Sequence, residues 1–243
     1  MRILVISDIH ANLAAFEAVL AEAGEVDGVL CLGDIVGYGP DPNECVARLR
    51  ALAPIISLSG NHDWAALDKL DVEDFNPDAQ QAIRWTQSVL TPDNRAYLAG
   101  LPAAGQLGDF TLAHGSPRHP VWEYIIDTII ACENFEHFNT AYCLVGHTHA
   151  ACIFSQLSLN GRCHLRLPEY GVPMKLGEQR LIVNPGSVGQ PRDADPRAAY
   201  AILDDEARTW EAHRVAYPIV QTQARMRDAG LPPRLIARLS YGW

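Results

Sequence analysis

The stretch that decides the fold reads ILVISDIHANLAAFEAVLAEA and covers residues 3–23. Its aliphatic residues Ile3–Ile6 predict a short buried strand, and Leu13–Ala23 has the periodicity of a helix with Asn12 as its N-cap. Between them lies Asp8-Ile9-His10, in which two metal-ligating side chains closely follow the strand. The stretch therefore predicts a strand–helix unit whose connecting loop carries polar chemistry.

The same alternation continues through the first half of the chain. Gly28–Leu32 and Ile55–Leu58 predict two more strands, and Asp41–Leu52 predicts a helix between them. Two or three helices, punctuated by Pro92, are predicted between Pro77 and Ala99. Strands that alternate with helices indicate parallel βαβ units in an α/β fold.

The second half predicts a different pattern, in which strands are separated by short turns. These strands are Phe110–Ala113, Tyr142–Val145, Cys152–Gln156, His164–Leu167, Arg180–Val183, Tyr200–Leu203 and Trp210–Arg214. Asn160-Gly161 is a strong signal for a hairpin turn, and two helices are predicted near Pro218–Ala229 and Pro232–Leu239. No internal repeat or linker divides residues 1–243, so we predict one α/β domain in which two packed sheets are flanked by helices.

Composition and charge limit the classes of function. Of the 243 residues, 48% are hydrophobic and 20% are charged, which is ordinary for a globular protein. The formal net charge of −10 argues against sequence-independent binding to DNA or RNA, which needs a basic surface. A small anionic substrate stays compatible with this charge, because two divalent cations in one cleft would make the local field positive.

Cysteines and hydropathy bear on the compartment. The six cysteines, at positions 31, 45, 132, 143, 152 and 163, include no Cys-x-x-Cys pair, so we predict reduced, mostly buried thiols. Asp8 closely follows the first apolar run, so the sequence predicts no signal peptide. No stretch is long and apolar enough to suggest a membrane span. We therefore expect a cytoplasmic protein.

Five short polar segments lie at predicted strand ends within the first 150 residues. They are Asp8-Ile9-His10, Gly33-Asp34, Gly60-Asn61-His62-Asp63, His114-Gly115 and Gly146-His147-Thr148-His149. Asp, Asn and His supply the oxygen and nitrogen ligands that suit Mn, Fe, Zn or Ni, and open α/β sheets bind ligands at the carboxyl ends of their strands. Residues i and i+2 of a strand point to the same side, so Asp8 and His10 would face one metal.

Each segment also has a structural explanation. Asp34 would serve as a helix N-cap, Asn61-His62-Asp63 would form a turn, and a lone histidine after a strand is structural more often than not. Repetition favours ligation, because five of the nine histidines lie at predicted strand ends. The other four, His119, His137, His164 and His213, are predicted to be structural or surface residues. We therefore predict one polynuclear metal site with hydrolytic chemistry.

The order of these segments resembles the calcineurin-like metallophosphoesterase superfamily, whose pattern is Asp-x-His, Gly-Asp, Gly-Asn-His-Asp/Glu, a lone His and Gly-His-x-His. The motifs span residues 7–149. Residues 184–192, Asn-Pro-Gly-Ser-Val-Gly-Gln-Pro-Arg, look like the YfcE-type phosphodiesterase branch. The resemblance implies a four-layer α/β/β/α sandwich of two mixed sheets, with two metal ions at one end of the sheets.

The resemblance also implies a role for each motif residue. Asp8, His10 and His149 would hold one metal ion, Asn61, His114 and His147 would hold the other, and the Asp34 carboxylate would bridge both. The ions would be divalent transition metals, manganese in first place, with Fe, Zn, Ni and Co as alternatives. Metals about 3.5–4 Å apart can share a hydroxide that attacks phosphorus. His62 would then protonate the leaving oxygen as general acid.

Three positions depart from the Ser/Thr protein phosphatases of this superfamily. Gly37 stands where those enzymes carry the Asp that orients the catalytic histidine, while Tyr38 and Ser59 stand where they carry phosphate-gripping arginines. We therefore expect neither protein phosphatase activity nor symmetric dinucleoside tetraphosphate hydrolysis. The missing arginines favour a phosphodiester over a dianionic monoester. The sequence does not identify the group that orients His62, and the adjacent Asp63 is not favoured.

Four residues near the motifs are candidates for contacting a substrate: Asn12, Tyr38, Arg118 and Arg192. An arginine can hold phosphate oxygens bidentately, but surface pairing with a carboxylate explains Arg118 and Arg192 at least as well. Packing on its own loop explains Tyr38 equally well. Residues 184–187 are predicted to shape a turn beneath the site. The tryptophans show no basic interleaving, so no extended nucleic-acid surface is expected.

The sequence thus predicts a binuclear metal-dependent phosphoesterase, in first place a phosphodiesterase, that acts on a small phosphoester. One alternative is a phosphomonoesterase that acts on nucleotides or phosphoproteins. Another is a non-catalytic metal-binding or interaction module, although the complete ligand set and the presence of His62 argue against it. No membrane partner is expected, and a homo-oligomer is left open.

Overall fold

The structure is a computed structural model that describes residues 1–158 and 162–243. Within these residues the chain forms twelve strands and eight α-helices. The strands are β1 Arg2–Ile6, β2 Gly28–Cys31, β3 Ile56–Ser57, β4 Ala104–Leu107, β5 Phe110–Ala113, β6 Tyr142–Leu144, β7 Cys152–Ser158, β8 Arg162–Arg166, β9 Met174–Lys175, β10 Leu181–Asn184, β11 Ala198–Asp204 and β12 Thr209–Val215. The helices are α1 Leu13–Ala23, α2 Pro42–Ala51, α3 Asn61–Ala66, α4 Pro77–Val89, α5 Pro92–Ala99, α6 Thr128–Asn134, α7 Ile219–Asp228 and α8 Pro233–Arg238.

The strands form two six-stranded mixed sheets. The first sheet has the order β3-β2-β1-β11-β12-β9, and the second has the order β4-β5-β6-β10-β7-β8. In the first sheet β1, β2 and β3 are parallel, and in the second β5, β6 and β10 are parallel. Parallel strands bring their carboxyl ends to one edge of a sheet. Each of the five predicted polar segments follows one of these strands, so the topology positions them near one another.

Alternation along β1 shows how the layers form. Ile3 and Val5 belong to the core between the two sheets, while Leu4 and Ile6 pack with Phe16 and other residues on the outer face of the first sheet. A third core, which contains residues of α6 and β6, covers the outer face of the second sheet. Burying one such aliphatic side chain contributes about 1.5–3 kcal/mol. The predicted four-layer α/β/β/α sandwich is therefore confirmed.

A further apolar cluster joins helices from distant parts of the chain. It contains Ala65 of α3, Ile83 of α4, Met226 of α7 and Leu235 of α8, and Tyr38 packs into it from the loop after β2. The prediction of helices near Pro218–Ala229 and Pro232–Leu239 is confirmed by α7 and α8. The cluster holds these last two helices beside the loops that follow the parallel strands.

Four elements were not predicted, namely α3, β4, α6 and β9. Helix α3 has only six residues and begins at Asn61, directly after Gly60, so it is too short to show helical periodicity. Strand β4 lacks β-branched residues and forms by pairing with β5, where Gly105 lies opposite Leu112. The predicted hairpin turn at Asn160-Gly161 lies outside the described residues, although β7 and β8 on either side pair in antiparallel fashion.

The cysteines only partly follow the prediction of reduced thiols. Cys31, Cys45, Cys143 and Cys152 are free and buried, but Cys132 of α6 and Cys163 of β8 form a disulfide with their Cα atoms 5.7 Å apart. The prediction was wrong for this pair because the packing of α6 on β8, and not local spacing, brings together residues 31 positions apart. Among the described helices, none is long and apolar enough to cross a membrane.

Candidate metal centre

Two groups of ligand atoms converge where the parallel strands end. In the first, atoms of Asp8, His10, Asp34 and His149 all lie within 4.8 Å of one another, and all four side chains are buried. The Nε2 atoms of His10 and His149 are 3.0 Å apart, and Asp34 Oδ2 lies 3.5 Å from His10 Nε2. The structure thus brings together the three residues assigned by resemblance to one metal ion and the residue assigned to the bridge.

The second group shares Asp34 with the first. Ligand atoms of Asp34, His114 and His147 lie within 4.8 Å of one another. His114 Nε2 is 3.4 Å from Asp34 Oδ2, 3.2 Å from His147 Nδ1 and 3.2 Å from the amide oxygen of Asn61. All seven predicted ligands are therefore found in two adjoining groups with one carboxylate in common.

The outer nitrogen of each imidazole in these groups faces a backbone carbonyl. The contacts are His10 Nδ1 to Val36 O at 3.2 Å, His114 Nδ1 to Leu32 O at 3.0 Å, His147 Nε2 to Trp122 O at 3.1 Å and His149 Nδ1 to Gln190 O at 2.6 Å. A carbonyl can only accept a hydrogen bond, so each ring donates its N–H there. The other nitrogen of each ring then turns its lone pair toward the cluster, as in metal-ligating histidines.

This arrangement of donors fits divalent metal ions. Lone pairs that face each other at 3.0 Å between His10 and His149, and at 3.2 Å between His114 and His147, cannot form hydrogen bonds between neutral rings. Asp8 Oδ1 and Asp34 Oδ2 are buried within the same groups and have no hydrogen-bond partner. Buried polar atoms without partners are costly. Carboxylate oxygen, imidazole nitrogen and amide oxygen are the ligands that divalent transition metals accept.

The charge state of Asp34 suits a shared ligand. Burial acts to raise the pKa of this carboxyl, but the neighbouring imidazoles of His114 and His62 outweigh burial and hold its pKa below the usual range. Asp34 Oδ1 also accepts a hydrogen bond of 2.9 Å from the backbone N–H of His62. One oxygen of Asp34 is therefore oriented by the protein, and the other faces both groups of ligands.

The backbone at these residues corrects the reasoning that predicted them. Strand β1 ends at Ile6, and Asp8 and His10 after it are in the left-handed region rather than extended. The φ angles are 55° at Asp8, 47° at His10, 53° at Asp34, 64° at His147 and 58° at His149. Asp8 and His10 thus share a metal group because of a tight turn and not because of strand alternation. Left-handed residues other than glycine cost on the order of 1–3 kcal/mol each and cluster at functional sites.

Hydrogen bonds from residues 184–187 hold this strained backbone in place. Asn184 Nδ2 donates to the Gly146 carbonyl at 2.6 Å, and Ser187 Oγ donates to the Asp8 carbonyl at 2.9 Å. The backbone N–H of His147 in turn donates to Asp8 Oδ2 at 3.1 Å. The segment therefore connects the loops after β1 and β6, which agrees with its predicted place beneath the site.

Asp63 and Gly60 fix the loop after β2 against α3. Asp63 Oδ1 accepts from the backbone N–H groups of Ile35 and Val36, each at 3.0 Å, and Oδ2 accepts from Gly60 at 2.9 Å. Both oxygens of Asp63 accept hydrogen bonds from backbone N–H groups, so this carboxylate does not orient the His62 ring. A Cβ at Gly60 would lie 2.6 Å from the backbone nitrogen of Asp34, which only glycine avoids.

His62 lies beside the ligand groups without belonging to either. Its ring packs against Tyr38 at a centroid distance of 4.2 Å, His10 at 4.9 Å and Phe75 at 5.2 Å. Nδ1 is buried without a hydrogen-bond partner and faces Gly37, where a Cβ would approach it to 2.7 Å. Aromatic packing and the missing side chain at Gly37 therefore orient this ring. Burial lowers the pKa of His62 to about 4, although the Asp34 carboxylate acts in the opposite direction.

Of the four candidate substrate contacts, Asn12 and Arg118 are committed elsewhere. Asn12 caps α1 by accepting from Ala15 N–H at 3.2 Å, and its Nδ2 donates to the Gly189 carbonyl at 2.9 Å. Arg118 forms ion pairs with Glu123 and Glu133. The structure therefore gives both side chains a structural role.

Tyr38 and Arg192 do lie beside the ligand groups. The Tyr38 ring is 4.6 Å from the ring of His10. Arg192 Nη2 donates to the Tyr38 hydroxyl at 3.3 Å and to Gln190 Oε1 at 3.0 Å. The backbone carbonyl of Gln190 accepts the hydrogen bond of His149, so Arg192 is connected to a candidate ligand through the side chain and backbone of one residue.

Sequence reasoning missed Tyr124, Gln190, Arg234 and Arg238. The ring of Tyr124 stacks on His147 at 3.7 Å, and Arg238 Nη1 shares Gln190 Oε1 with Arg192 at 3.2 Å. The only signal for the two arginines was their spacing of four on a predicted helix, which puts both on one face. Nothing in the sequence indicated that this face would lie next to the metal ligands.

Comparisons with known proteins agree with this geometry. Residues 1–208 match the model of the calcineurin-like phosphoesterase superfamily domain. An uncharacterized protein of Methanocaldococcus jannaschii is 36% identical over 99% of this chain and 98% of its own length. A crystal structure of a metallophosphoesterase from Sphaerobacter thermophilus superimposes with a TM-score of 0.92 at 50% identity, covering 100% of this chain and 99% of that one.

The chain therefore belongs to the calcineurin-like phosphoesterase superfamily. A hypothetical protein from Pyrococcus horikoshii has the same fold, with a TM-score of 0.77 at 22% identity over 100% of this chain and 98% of that chain. Membership supports hydrolysis of a phosphoester with the help of divalent metal ions. It agrees with the family predicted from the order of the motifs.

Proposed function

We propose that this protein is a binuclear metal-dependent phosphodiesterase. The observation that carries the proposal is the pair of ligand groups that share the Asp34 carboxylate. A shared carboxylate keeps two cations close enough to act on one phosphoryl group. Asp8, His10 and His149 would hold one cation, and Asn61, His114 and His147 would hold the other.

The residues of the chain have separate tasks in this proposal. When bound, two divalent cations supply Lewis acidity toward the phosphoryl oxygens and an activated water as nucleophile. Asp34 and the strained loops fix the spacing of the ligands, and the carbonyls behind the imidazoles fix which ring nitrogen faces inward. Burial excludes bulk water from all seven ligand side chains except where the substrate enters. Manganese is our first choice of metal, with Fe, Zn, Ni and Co as alternatives.

We assign to His62 the protonation of the leaving oxygen. Its ring lies against His10 and Tyr38 at the edge of the ligand groups, and its nitrogen atoms are not needed by any ligand. Because its pKa in the free protein is about 4, the ring is neutral near neutral pH. A proton on it therefore needs the negative charge of a bound phosphoester nearby.

The preference for a diester depends on which groups surround the ligands. Gly37, Tyr38 and Ser59 bring no positive charge to the places where protein phosphatases of this superfamily carry acidic or basic groups. A phosphomonoesterase is the second candidate, and the guanidinium of Arg192 next to Tyr38 is the observation that favours it. A dianionic monoester gains more from such a charge than a monoanionic diester does.

Hydrolysis by metal-reconstituted protein tests both candidates. The rates on bis-p-nitrophenyl phosphate and p-nitrophenyl phosphate should be compared with manganese and with each alternative metal, while elemental analysis counts metal per chain. We expect two metals per chain and a higher kcat/KM on the diester. Metal-replete protein that leaves both esters intact would refute the proposal. Fewer than two metals and no turnover would favour the non-catalytic binding module instead.

We further propose that residues 1–243 act as one domain. The match to the family ends at residue 208, but α7 and α8 pack with Tyr38, and α8 supplies Arg234 and Arg238 to a pocket that Tyr38 also lines. A cytoplasmic location stays a prediction from the sequence, and a homo-oligomer stays an open alternative.

A further inference from the structure

A pocket beside the ligand groups contains three arginines. It has a volume of about 510 Å³, within the usual range for small-ligand sites, and none of the seven ligand residues lines it. Its walls include Arg192, Arg234 and Arg238, and we call it the arginine pocket. Tyr38 and Tyr124 also line it, and these two rings contact His10 and His147 on the other side. The arginine pocket is therefore separated from the ligand groups by only two aromatic rings.

The positive charge of the arginine pocket is only partly offset within the described parts of the chain. Across residues 1–158 and 162–243, no side-chain carboxylate forms an ion pair with Arg192, Arg234 or Arg238. Asp78 is the one acidic residue among the pocket's lining residues, against three guanidinium groups. The pocket therefore carries a net positive charge in a protein whose overall charge is −10.

The arginines are incompletely hydrogen-bonded within the protein. Arg192 and Arg238 both donate to the single oxygen Gln190 Oε1, at 3.0 Å and 3.2 Å. Arg192 Nε is buried without an acceptor, while Arg238 Nε donates to the main-chain oxygen of Trp243. Burial and the charge of Arg192 lower the pKa of Arg238 to about 10. Two like charges thus share one neutral acceptor, and an anion placed between them would relieve their repulsion.

We propose that the arginine pocket binds a second phosphoryl group of the substrate, distinct from the one that is hydrolysed. The inference rests on the proposed phosphoesterase function, which places the scissile group at the metal ligands and so leaves the arginines for another anion. Guanidinium groups bind phosphate oxygens bidentately, and three of them match a terminal phosphate dianion better than a carboxylate. The substrate class is therefore a phosphoester that carries a further phosphate on the group beyond Tyr38 and Tyr124.

Pyrophosphate binding to the metal-free full-length chain tests the pocket without any turnover. Calorimetric titrations should compare wild type, Arg192→Gln and Arg234→Gln, with Arg48→Gln as the matched control. Arg234 is exposed, so its loss leaves folding intact, while Arg48 pairs with Glu17 far from the pocket and removes the same charge. We expect Arg192→Gln to weaken binding about tenfold or more and Arg234→Gln several-fold, with no change for Arg48→Gln.

Kinetics of the metal-loaded enzyme then test the substrate class. The substrates are p-nitrophenyl alkyl phosphodiesters of increasing chain length, each made with the alkyl chain ending in either methyl or phosphate. We expect wild type to prefer the phosphate-terminated ester at one chain length, and the ratio of the two kcat/KM values to fall about tenfold in Arg192→Gln. The ratio should not change in Arg48→Gln.

The outcomes separate this inference from the proposed function. Pyrophosphate binding that is absent, or equal in wild type, Arg192→Gln and Arg234→Gln, would overturn the arginine pocket as an anion site. A wild-type enzyme without preference for any phosphate-terminated ester would overturn the substrate class. If neither type of ester is hydrolysed while pyrophosphate binding still depends on Arg192, the phosphoesterase proposal fails and the anion site stands.

Discussion

The ligand groups and the arginine pocket lie side by side, yet the chain builds them in different ways. The ligands come from five short motifs that follow parallel strands, and several of them have a left-handed backbone. The arginines come from the loop at Arg192, at the end of the segment 184–192, and from helix α8, which carries no motif. Metal ligation needs atoms held within tenths of an ångström, so the candidate ligands lie in tight loops with a strained backbone. Binding a phosphate needs charge at a cavity wall, which any packed helix can supply.

A second contrast concerns two arginines that look alike in the sequence. Arg118 and Arg192 each follow a polar motif, but Arg118 is paired with Glu123 and Glu133, whereas Arg192 meets only neutral oxygens. Because its carboxylate partners offset its charge, a paired arginine attracts an anionic ligand only weakly. Partners from distant segments therefore decide whether an arginine stabilises the fold or is available to bind a substrate.

The largest effect is expected from removing the charge of the shared ligand. Asp34→Asn should lower kcat/KM on the best phosphoester by more than about 100-fold, because even residues behind a metal ligand contribute 10–100-fold. Elemental analysis should find fewer than two metals per chain. Asp109→Asn, which changes an exposed aspartate, is the control and should retain both. Full metal content and activity in Asp34→Asn would show that the ligand groups are not the centre of catalysis.

Replacing His62 tests whether this residue acts as a general acid beside the metal ligands rather than as a ligand itself. His62→Ala should lower kcat by about 10²-fold on esters with alkoxide leaving groups, which need a proton. The loss should be much smaller with p-nitrophenolate, which leaves without one, and metal content should not change. Exposed His119 provides the control, as His119→Ala. Equal losses on both kinds of ester would contradict the assignment of His62 as general acid.

A methyl group at Gly60 tests how tightly the motifs are packed. Gly60→Ala places Cβ 2.6 Å from the Asp34 backbone nitrogen, so the loop after β2 must shift, at a cost of about 1–3 kcal/mol. Thermal unfolding should show a lower Tm for this variant. In Gly177→Ala, the added Cβ has no neighbour within 4 Å, and Tm should stay at the wild-type value. An unchanged Tm in both variants would show that the loop is less constrained than its contacts indicate.

The smallest expected effect is on the pH dependence of stability, through the ion pair between Arg118 and Glu123. Hydrogen bonds from Arg118, Ser116 and Asn134 outweigh burial and lower the pKa of Glu123 to about 2 from 4.5. A lowered pKa in the folded state stabilises it above pH 4.5, and this contribution is lost as the pH falls toward 2. Denaturant unfolding of wild type and Glu123→Gln across this window should show their difference in stability shrinking as the pH falls.

The control for this comparison is Glu73→Gln, since Glu73 forms an exposed ion pair with Arg84. Exposed pairs contribute little, so its difference from wild type should stay near zero at every pH. A gap between wild type and Glu123→Gln that does not depend on pH would contradict the ionic role of Glu123.

Much of the fold follows from local patterns in the sequence. The strands β1, β2 and β5 and the helix α1 lie within a residue of their predicted bounds, and α4 and α5 are the two helices that lie between Pro77 and Ala99. The six-residue helix α3 and strand β4, which has no β-branched residue, were missed because pairing and packing create them. The disulfide between Cys132 and Cys163 was missed for the same reason.

By itself, the sequence determined the α/β class, the family and the seven candidate ligand residues, because each candidate lies in a short motif next to a strand that local hydrophobicity reveals. Only the tertiary structure decided that a left-handed turn, and not strand alternation, aims Asp8 and His10. It also decided that Arg118 is neutralised, while Arg192 meets Arg238 of α8 across a pocket. Charge and distance between segments far apart in sequence depend on how helices pack, and no local pattern encodes that packing.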